Sequence, residues 1–248
     1  MKKAFSILIS CSFLLVSCFS IPLEYHWEQS TKGADTYKAL LQQGVPRNVT
    51  NDFCTRYPGC GGVSANSWKE DNGRDLCRIY FSNSEGFSST AYYVNQKWSA
   101  TQTVLDKETF MQFLPRKVLA SYLSVAPENE NYDGDSDYIV FIDRTNIAHR
   151  QYEFSFKVKN ENNQYLLYNI LIIDDGTILE SANGHFFNPV CVYDIDESLA
   201  CVRQAYPECE LLGMVHNGNH LYFIRDDGAV EKVTVAKNNE GYTIWSEF

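Results

Sequence analysis

The sequence predicts an α+β protein. It should consist of tandem units in which short helices precede an antiparallel four-stranded meander, with the helices packed on one face of the sheet. Three observations carry that expectation. The stretch Pro46 to Pro58 returns 69 residues later, where Pro46 falls on Pro115, Arg47 on Arg116, Val49 on Val118, Phe53 on Tyr122 and Pro58 on Pro127. A weaker third copy lies 149 residues on, with Tyr57-Pro58 falling on Tyr206-Pro207 and Cys60 on Cys209. After each copy come strand-length runs separated by Asn, Asp and Gly, and the hairpin pattern Ile-x-Asp-Asp-Gly at 172–176 recurs at 224–228.

The repeated stretches read as amphipathic helices. Val49, Phe53 and Tyr57 share one face, as do Val118, Tyr122 and Ala126, and Leu199, Val202 and Tyr206 keep helical spacing. Pro46 and Pro115 suit a first helical turn, where the missing N–H costs nothing, and a proline about twelve residues later stops each helix.

In the first unit (35–105), Asp35 is the expected N-cap of a leading helix with Tyr37, Leu40 and Leu41 on one face and Gly44 as its stop. The Pro46 helix follows, then strands at Val63–Trp68, Leu76–Ser82, Ser89–Val94 and Trp98–Val104. The breaks are Asp71-Asn72-Gly73, Asn83–Gly86 and Asn95-Gln96-Lys97.

The second unit (106–188) repeats the plan. Asp106 caps a short helix with Phe110 and Phe113, the Pro115 helix follows, and strands are expected at Tyr138–Ile142, Tyr152–Val158, Gln164–Ile173 and Thr177–Leu179. In the third (189–248), Asp194 and Glu197 form a capping-box pattern, before strands at Leu211–Val215, His220–Ile224, Ala229–Ala236 and Tyr242–Trp245.

The N-terminus has its own logic. Met1-Lys2-Lys3 precedes a mostly apolar run from Ala4 to Val16, the pattern of a secretory signal and too short for a membrane span of roughly 20 residues. Leu15-Val16-Ser17-Cys18 resembles a bacterial lipobox, which makes 1–17 a signal peptide, Cys18 the lipid attachment and 18–34 a tether. Such an anchor places a chain at a membrane without spanning it. The expected location is the bacterial cell envelope, in the periplasm or at the outer membrane.

The formal net charge of −10, or −12 once Lys2 and Lys3 are removed, offers no basic stripe and argues against nucleic acid. Six cysteines remain beyond Cys11 and Cys18: Cys54, Cys60, Cys77, Cys191, Cys201 and Cys209. Outside the cytoplasm an even set suggests disulfides, with 15 connectivities open. If all six pair, an odd number of bridges must join the first three to the last three. A zinc site is the weaker reading, since no Cys-x2-Cys pair exists.

The pattern Pro46, Val49, Phe53, Tyr57, Pro58, then Trp68 and the Asn95–Trp98 turn, repeated in Pro115, Val118, Tyr122 and Pro127, resembles the PepSY-like periplasmic proteins of Bacteroidetes. That family is similar in fold to the beta-lactamase inhibitor protein. The resemblance implies tandem modules of helix-loop-helix plus four strands and a secreted binding or inhibitory role. It supplies no catalytic residues. Here Asn95-Gln96-Lys97 stands where the family pattern has an Asp-Gly turn.

Candidate chemistry is thin. His216 and His220 flank a hairpin turn rather than share a helix face. The oxygen-rich segment from Asn129 fits the first positions of a calcium loop, but Val140 occupies the position of the bidentate Glu. No Gly-x-Ser-x-Gly motif is present, and Asp174-Asp175 and Asp226-Asp227 fall at turns. No catalytic residue, metal or cofactor is therefore expected. Tyr92, Tyr93, Tyr165, Tyr168 and Tyr222 lie on expected strands and are the candidate binding face, because exposed tyrosines anchor protein interfaces; the alternative is that they pack beneath the helices. The sequence thus predicts a non-enzymatic envelope module that binds a protein or peptide, with glycan binding as the alternative.

Overall fold

The computed structural model describes residues 31–71, 73–126, 132–159, 162, 164–183, 195–207, 209–215, 220–224, 228–238 and 241–247. Residues 1–30, with Cys18, and also Cys191, Asp194 and His216 lie outside these residues. The helices are α1 (Thr31–Gln42), α2 (Arg47–Arg56), α3 (Phe110–Phe113), α4 (Arg116–Val125) and α5 (Ile195–Ala205). The strands are β1 (Gly61–Lys69), β2 (Asp75–Ser82), β3 (Ser88–Val94), β4 (Lys97–Val104), β5 (Tyr132–Arg144), β6 (Ile147–Lys159), β7 (Tyr165–Ile173), β8 (Ile178–Asn183), β9 (Glu210–Val215), β10 (His220–Ile224), β11 (Val230–Asn238) and β12 (Gly241–Glu247). The protein is α+β, and its described sheets are antiparallel. No helix among the described residues is long and apolar enough to cross a membrane.

β1 to β8 form one eight-stranded sheet in chain order, and β12-β11-β10-β9 form a second. The join in the large sheet is β4 with β5, running from Ala100 opposite Arg144 to Val104 opposite Val140. Sheet continuity across that join was not readable from turn signals, because pairing of strands 28 or more residues apart depends on edge-to-edge fit and not on local chemistry.

Helix boundaries follow from local chemistry. α1 begins at Thr31, earlier than the Asp35 cap suggests, and ends in a Schellman motif: the Val45 N–H donates to the Leu40 carbonyl at 3.1 Å and the Gly44 N–H to Leu41 at 3.0 Å. Gly44 sits at φ +80, which glycine accepts without strain. Pro46 and Pro115 are N-caps, one position before the first helical turn, at φ/ψ of −56/144 and −55/145. Their extended geometry starts α2 and α4 in the same way.

The helices cover three cores, α1 with α2, α3 with α4, and α5. Val49, Phe53 and Cys54 of α2 are fully buried on Ile79, Phe81 and Tyr93, and Phe53 meets Phe81 edge-on at 5.0 Å. Val118 and Tyr122 of α4 pack on Phe154, Phe156, Ile170 and Ile172. Leu199 and Val202 of α5 pack on Met214, Leu221, Phe223 and Val233. Truncating a buried phenylalanine such as Phe53 to Ala typically costs about 3–5 kcal/mol, so these three seams dominate stability.

The second sheet lies against the face of the first that the helices leave bare. Leu212 and Tyr222 pack on Leu171 and Ile173, with Leu179 and Ile224 at the margin. Gly213 marks a close approach of the two sheets, since a Cβ there would stand 2.5 Å from Leu179 Cδ1.

The oxygen-rich segment behaves as a strand from Tyr132 onward, with a register irregularity between Asp133 and Tyr138, and not as a calcium loop. Tyr132 and Asp133 pair with Val158 and Lys157 of β6, and pairing resumes at Tyr138 opposite Ser155.

Candidate functional site

Alternation along the first four strands sends Val63, Ala65, Ile79, Phe81, Ala91 and Tyr93 toward α1 and α2. The intervening residues make the opposite face. There Asn66 stands opposite Arg78 and Arg78 opposite Tyr92, while Ser64 stands opposite Tyr80 and Trp68 opposite Leu76. Beneath them Leu76, Tyr92 and Ala100 form a small buried cluster with Val94 at its rim.

Over this cluster the Arg78 guanidinium lies 5.5 Å from the Trp68 ring, 5.9 Å from Tyr80 and 5.5 Å from Tyr92, and its Nη1 donates to the Tyr80 hydroxyl at 3.0 Å. Cation–π contact of this kind holds an arginine flat against its rings. Trp68 remains 39% exposed and Tyr80 37%. The result is a pre-ordered Trp-Arg-Tyr surface, the residue types most enriched where binding energy concentrates.

A cavity of about 330 Å³ opens beside Trp68. The α1–α2 turn contributes Gly44 and Pro46, α2 contributes Val49, the strands contribute Ser67, Leu76 and Cys77, and Gln96 closes it. Gln96 is held at φ 64 and Asn95 at φ 48, the two positive dihedrals of a type I′ hairpin. The Asn95 side chain accepts from the Asp75 N–H at 3.0 Å, fixing this turn against β2. A non-glycine residue in that region is strained by roughly 1–3 kcal/mol, and such strain gathers at binding sites.

Moving across the sheet, the same face turns polar and closes. Tyr92 donates to Gln102 at 3.2 Å. Arg144 faces Glu153, and its Nε and Nη1 atoms are shut off from solvent with no hydrogen-bond partner among the described residues. Burial pushes Glu153 up to about 7, with Arg144 opposing and Glu180 adding to the rise. Burial also pulls Arg144 below its ordinary range. Tyr222 of the second sheet hydrogen-bonds Glu180.

The five candidate tyrosines do not form one surface. Tyr93 is fully buried on the helix side, donating to Asp52 at 2.8 Å, and Tyr168 also faces that side, bonded to Ser181 at 2.6 Å. Tyr222, on β10 of the second sheet, is 1% exposed between the sheets, and Tyr92 lies on the opposite face of the large sheet, 5% exposed under Arg78. Tyr165 alone is widely exposed, at 54%, beside Lys159 at the far end of that face. The five tyrosines are therefore not gathered on one exposed surface; the exposed aromatic side chains on that face are Trp68 and Tyr80, held around Arg78 with Tyr92 beneath.

The cysteines are thiols here. Cys54, Cys60 and Cys77 are buried in the first core, Cys209 lies at the edge of the third and Cys201 is on α5; among the described residues none is bridged. The all-six pairing scheme needs a bridge between these groups, and the first three occupy a core separate from that of Cys209. Burial, with Cys60 nearby as a smaller contribution, pushes Cys54 up to about 12, and burial raises Cys60 and Cys77 as well. Thiols so disposed are poor nucleophiles.

His149 acquires neighbours that the sequence did not reveal. Its Nδ1 lies 2.7 Å from Asp174 Oδ1 and its Nε2 3.7 Å from Glu210 Oε1. Among the described residues no hydroxyl or thiol hydrogen-bonds His149. His220 opens β10.

No protein-family model matches the chain, and no curated protein does.

Proposed function

We propose that this chain is a non-enzymatic, lipid-anchored envelope protein that binds an extended segment of a partner protein on the open face of its large sheet. The Trp68-Arg78-Tyr80 cluster is the observation that carries the reading. It is pre-ordered, exposed and adjacent to a cavity able to receive one side chain. β1 lies at the sheet edge, where Gln43 occupies the Ala65 N–H and the Val63 carbonyl, so an extended partner segment would lie across the Trp68 end of the strand with one side chain in the cavity. The anchor would be Cys18, with the preceding residues removed as a signal.

The same reading takes the chain as three tandem helix-plus-meander units, the arrangement of the PepSY-like and beta-lactamase-inhibitor-protein-like folds. It is supported by the matched caps at Pro46 and Pro115 and by a second correspondence. The N–H of Cys60 donates to the Tyr57 carbonyl and that of Cys209 to Tyr206, each at 3.4 Å.

Glycan binding at this face is the weaker alternative. Parallel aromatic platforms would favour it, whereas Arg78 sits between Trp68 and Tyr80 and contacts both rings.

A photo-crosslinking residue in place of Tyr80, in the intact anchored protein, tests the proposal. It should give one dominant protein adduct, while the same residue at Leu123 on α4 should give none of it. Equal adducts from both positions would reject the face as the binding site.

A further inference from the structure

A second cleft, of about 480 Å³, lies on the helix side of the large sheet, where the first helix pair ends. Its walls are Arg56 and Tyr57 from the end of α2, Glu85 from the β2–β3 turn, and Asp143 and Arg150 from β5 and β6. The strands supply a hydroxyl floor: Ser89 and Thr103 are bonded to each other at 2.9 Å, and Thr101 receives the Trp98 indole N–H at 2.9 Å and bonds the Tyr57 hydroxyl.

Both arginines are immobilised flat. Arg56 Cζ lies 4.0 Å over the Trp98 ring and its guanidinium pairs with Asp52 at 3.2 and 3.3 Å. Arg150 Cζ lies 4.2 Å over Phe141 and its Nε and Nη2 pair with Asp143 at 2.8 and 2.9 Å. Within the lining, Arg56 and Arg150 are balanced by Glu85 and Asp143. A phosphate would meet two carboxylates and an ammonium group two guanidiniums, so neither ion is favoured.

What remains is a set of fixed planar hydrogen-bonding groups, hydroxyls that both donate and accept, and apolar edges from Tyr57, Pro58 and Phe81. A saccharide ring presents the complement: hydroxyls around its rim and apolar C–H faces. The volume is within the range of small-ligand sites, about 300–1,000 Å³. We infer that this cleft binds a neutral mono- or disaccharide, independently of the Trp68 face.

The Trp98 indole N–H is a built-in reporter for a titration followed by two-dimensional nitrogen–proton NMR. The intact mature protein is titrated with cellobiose, maltose and N,N′-diacetylchitobiose, and with galacturonate and glucosamine as charged counterparts. A neutral sugar should move the Trp98 indole signal saturably, with a Kd on the order of 1 mM or tighter.

Ser89→Ala with Thr103→Val removes both members of a buried hydroxyl pair by near-isosteric change, which is tolerated far better than removing one. With its spectrum otherwise intact, that variant should bind about tenfold more weakly, which corresponds to about 1.4 kcal/mol. Silence from every neutral sugar, a response confined to the charged ones, or unchanged affinity in the double variant would each overturn the assignment.

Discussion

The side-chain amide of Gln151 makes both hydrogen bonds that a neighbouring strand would make to Met214. Its Nε2 donates to the Met214 carbonyl at 2.9 Å and its Oε1 accepts from the Met214 N–H at 3.0 Å. β9 is the edge of the second sheet, so a single buried side chain from β6 caps an otherwise open edge and ties the two sheets together. Gln43 does the same at the edge of β1 in a more exposed setting, accepting from the Ala65 N–H at 2.7 Å and donating to the Val63 carbonyl at 3.4 Å.

These two clips should differ in value. Gln151→Ala leaves two buried backbone groups unpaired, at about 1–3 kcal/mol each, whereas Gln43→Ala exposes its groups to water and should cost under about 1 kcal/mol. Urea unfolding of the two variants should separate them by that margin. Equal losses would mean that Gln151 contributes nothing special to sheet docking.

Gly213→Ala should loosen the same junction. The new methyl meets Leu179 Cδ1 at 2.5 Å and Gln151 Cδ at 3.4 Å, an overpacking expected to cost about 1–3 kcal/mol. Leu179→Ala in the same chain should recover part of that loss, so the double variant should be more stable than the sum of the two single effects allows. Strict additivity would show that the clash is relieved elsewhere.

Stability should fall as pH rises because of Glu153. Its folded pKa is raised to about 7, chiefly by burial, above the ordinary 4.5 of the unfolded chain. The folded state then holds the extra proton between these values. The contribution is fully present below about pH 4.5 and is lost as pH passes through about 7, by about 3 kcal/mol at most. Unfolding measured from about pH 5 to pH 8 should show this slope, and Glu153→Gln should flatten it. A variant with the wild-type slope would assign the pH dependence to another group.

Gln96→Gly should stabilise the β3–β4 hairpin. The residue sits at φ 64, where glycine carries no Cβ penalty, and the gain should be on the order of 0.5–1 kcal/mol after the entropy of the unfolded chain is counted. A rise of a few degrees in Tm checks it; a fall would show that the Gln96 side chain contributes contacts at the cavity worth more than the strain.

Local chemistry carried most of the fold. The Pro46 and Pro115 helices, the Gly44 stop and nearly every strand run were legible because each depends on residues within one turn or one hairpin. The pairing of β4 with β5 and the stacking of the second sheet were not, since Ala100 and Arg144 are distant in sequence and their contact is decided by tertiary packing. The site was partly legible. Alternation correctly put Tyr92 and Tyr93 on opposite faces, but it did not show that Arg78 roofs the first and that α2, through Asp52, engages the second. Trp68 is legible in the sequence as a strand end and a family feature, but its partnership with Arg78 depends on the β1–β2 register.

The most direct test of the binding-face account is affinity capture of envelope proteins on three immobilised forms of the mature chain: wild type, Trp68→Ala and Leu123→Ala, the last an exposed apolar residue on α4. The account predicts one partner held by wild type and Leu123→Ala and lost, with an affinity change of about 2 kcal/mol or more, on Trp68→Ala. A partner held equally by all three forms, or by none, would contradict it.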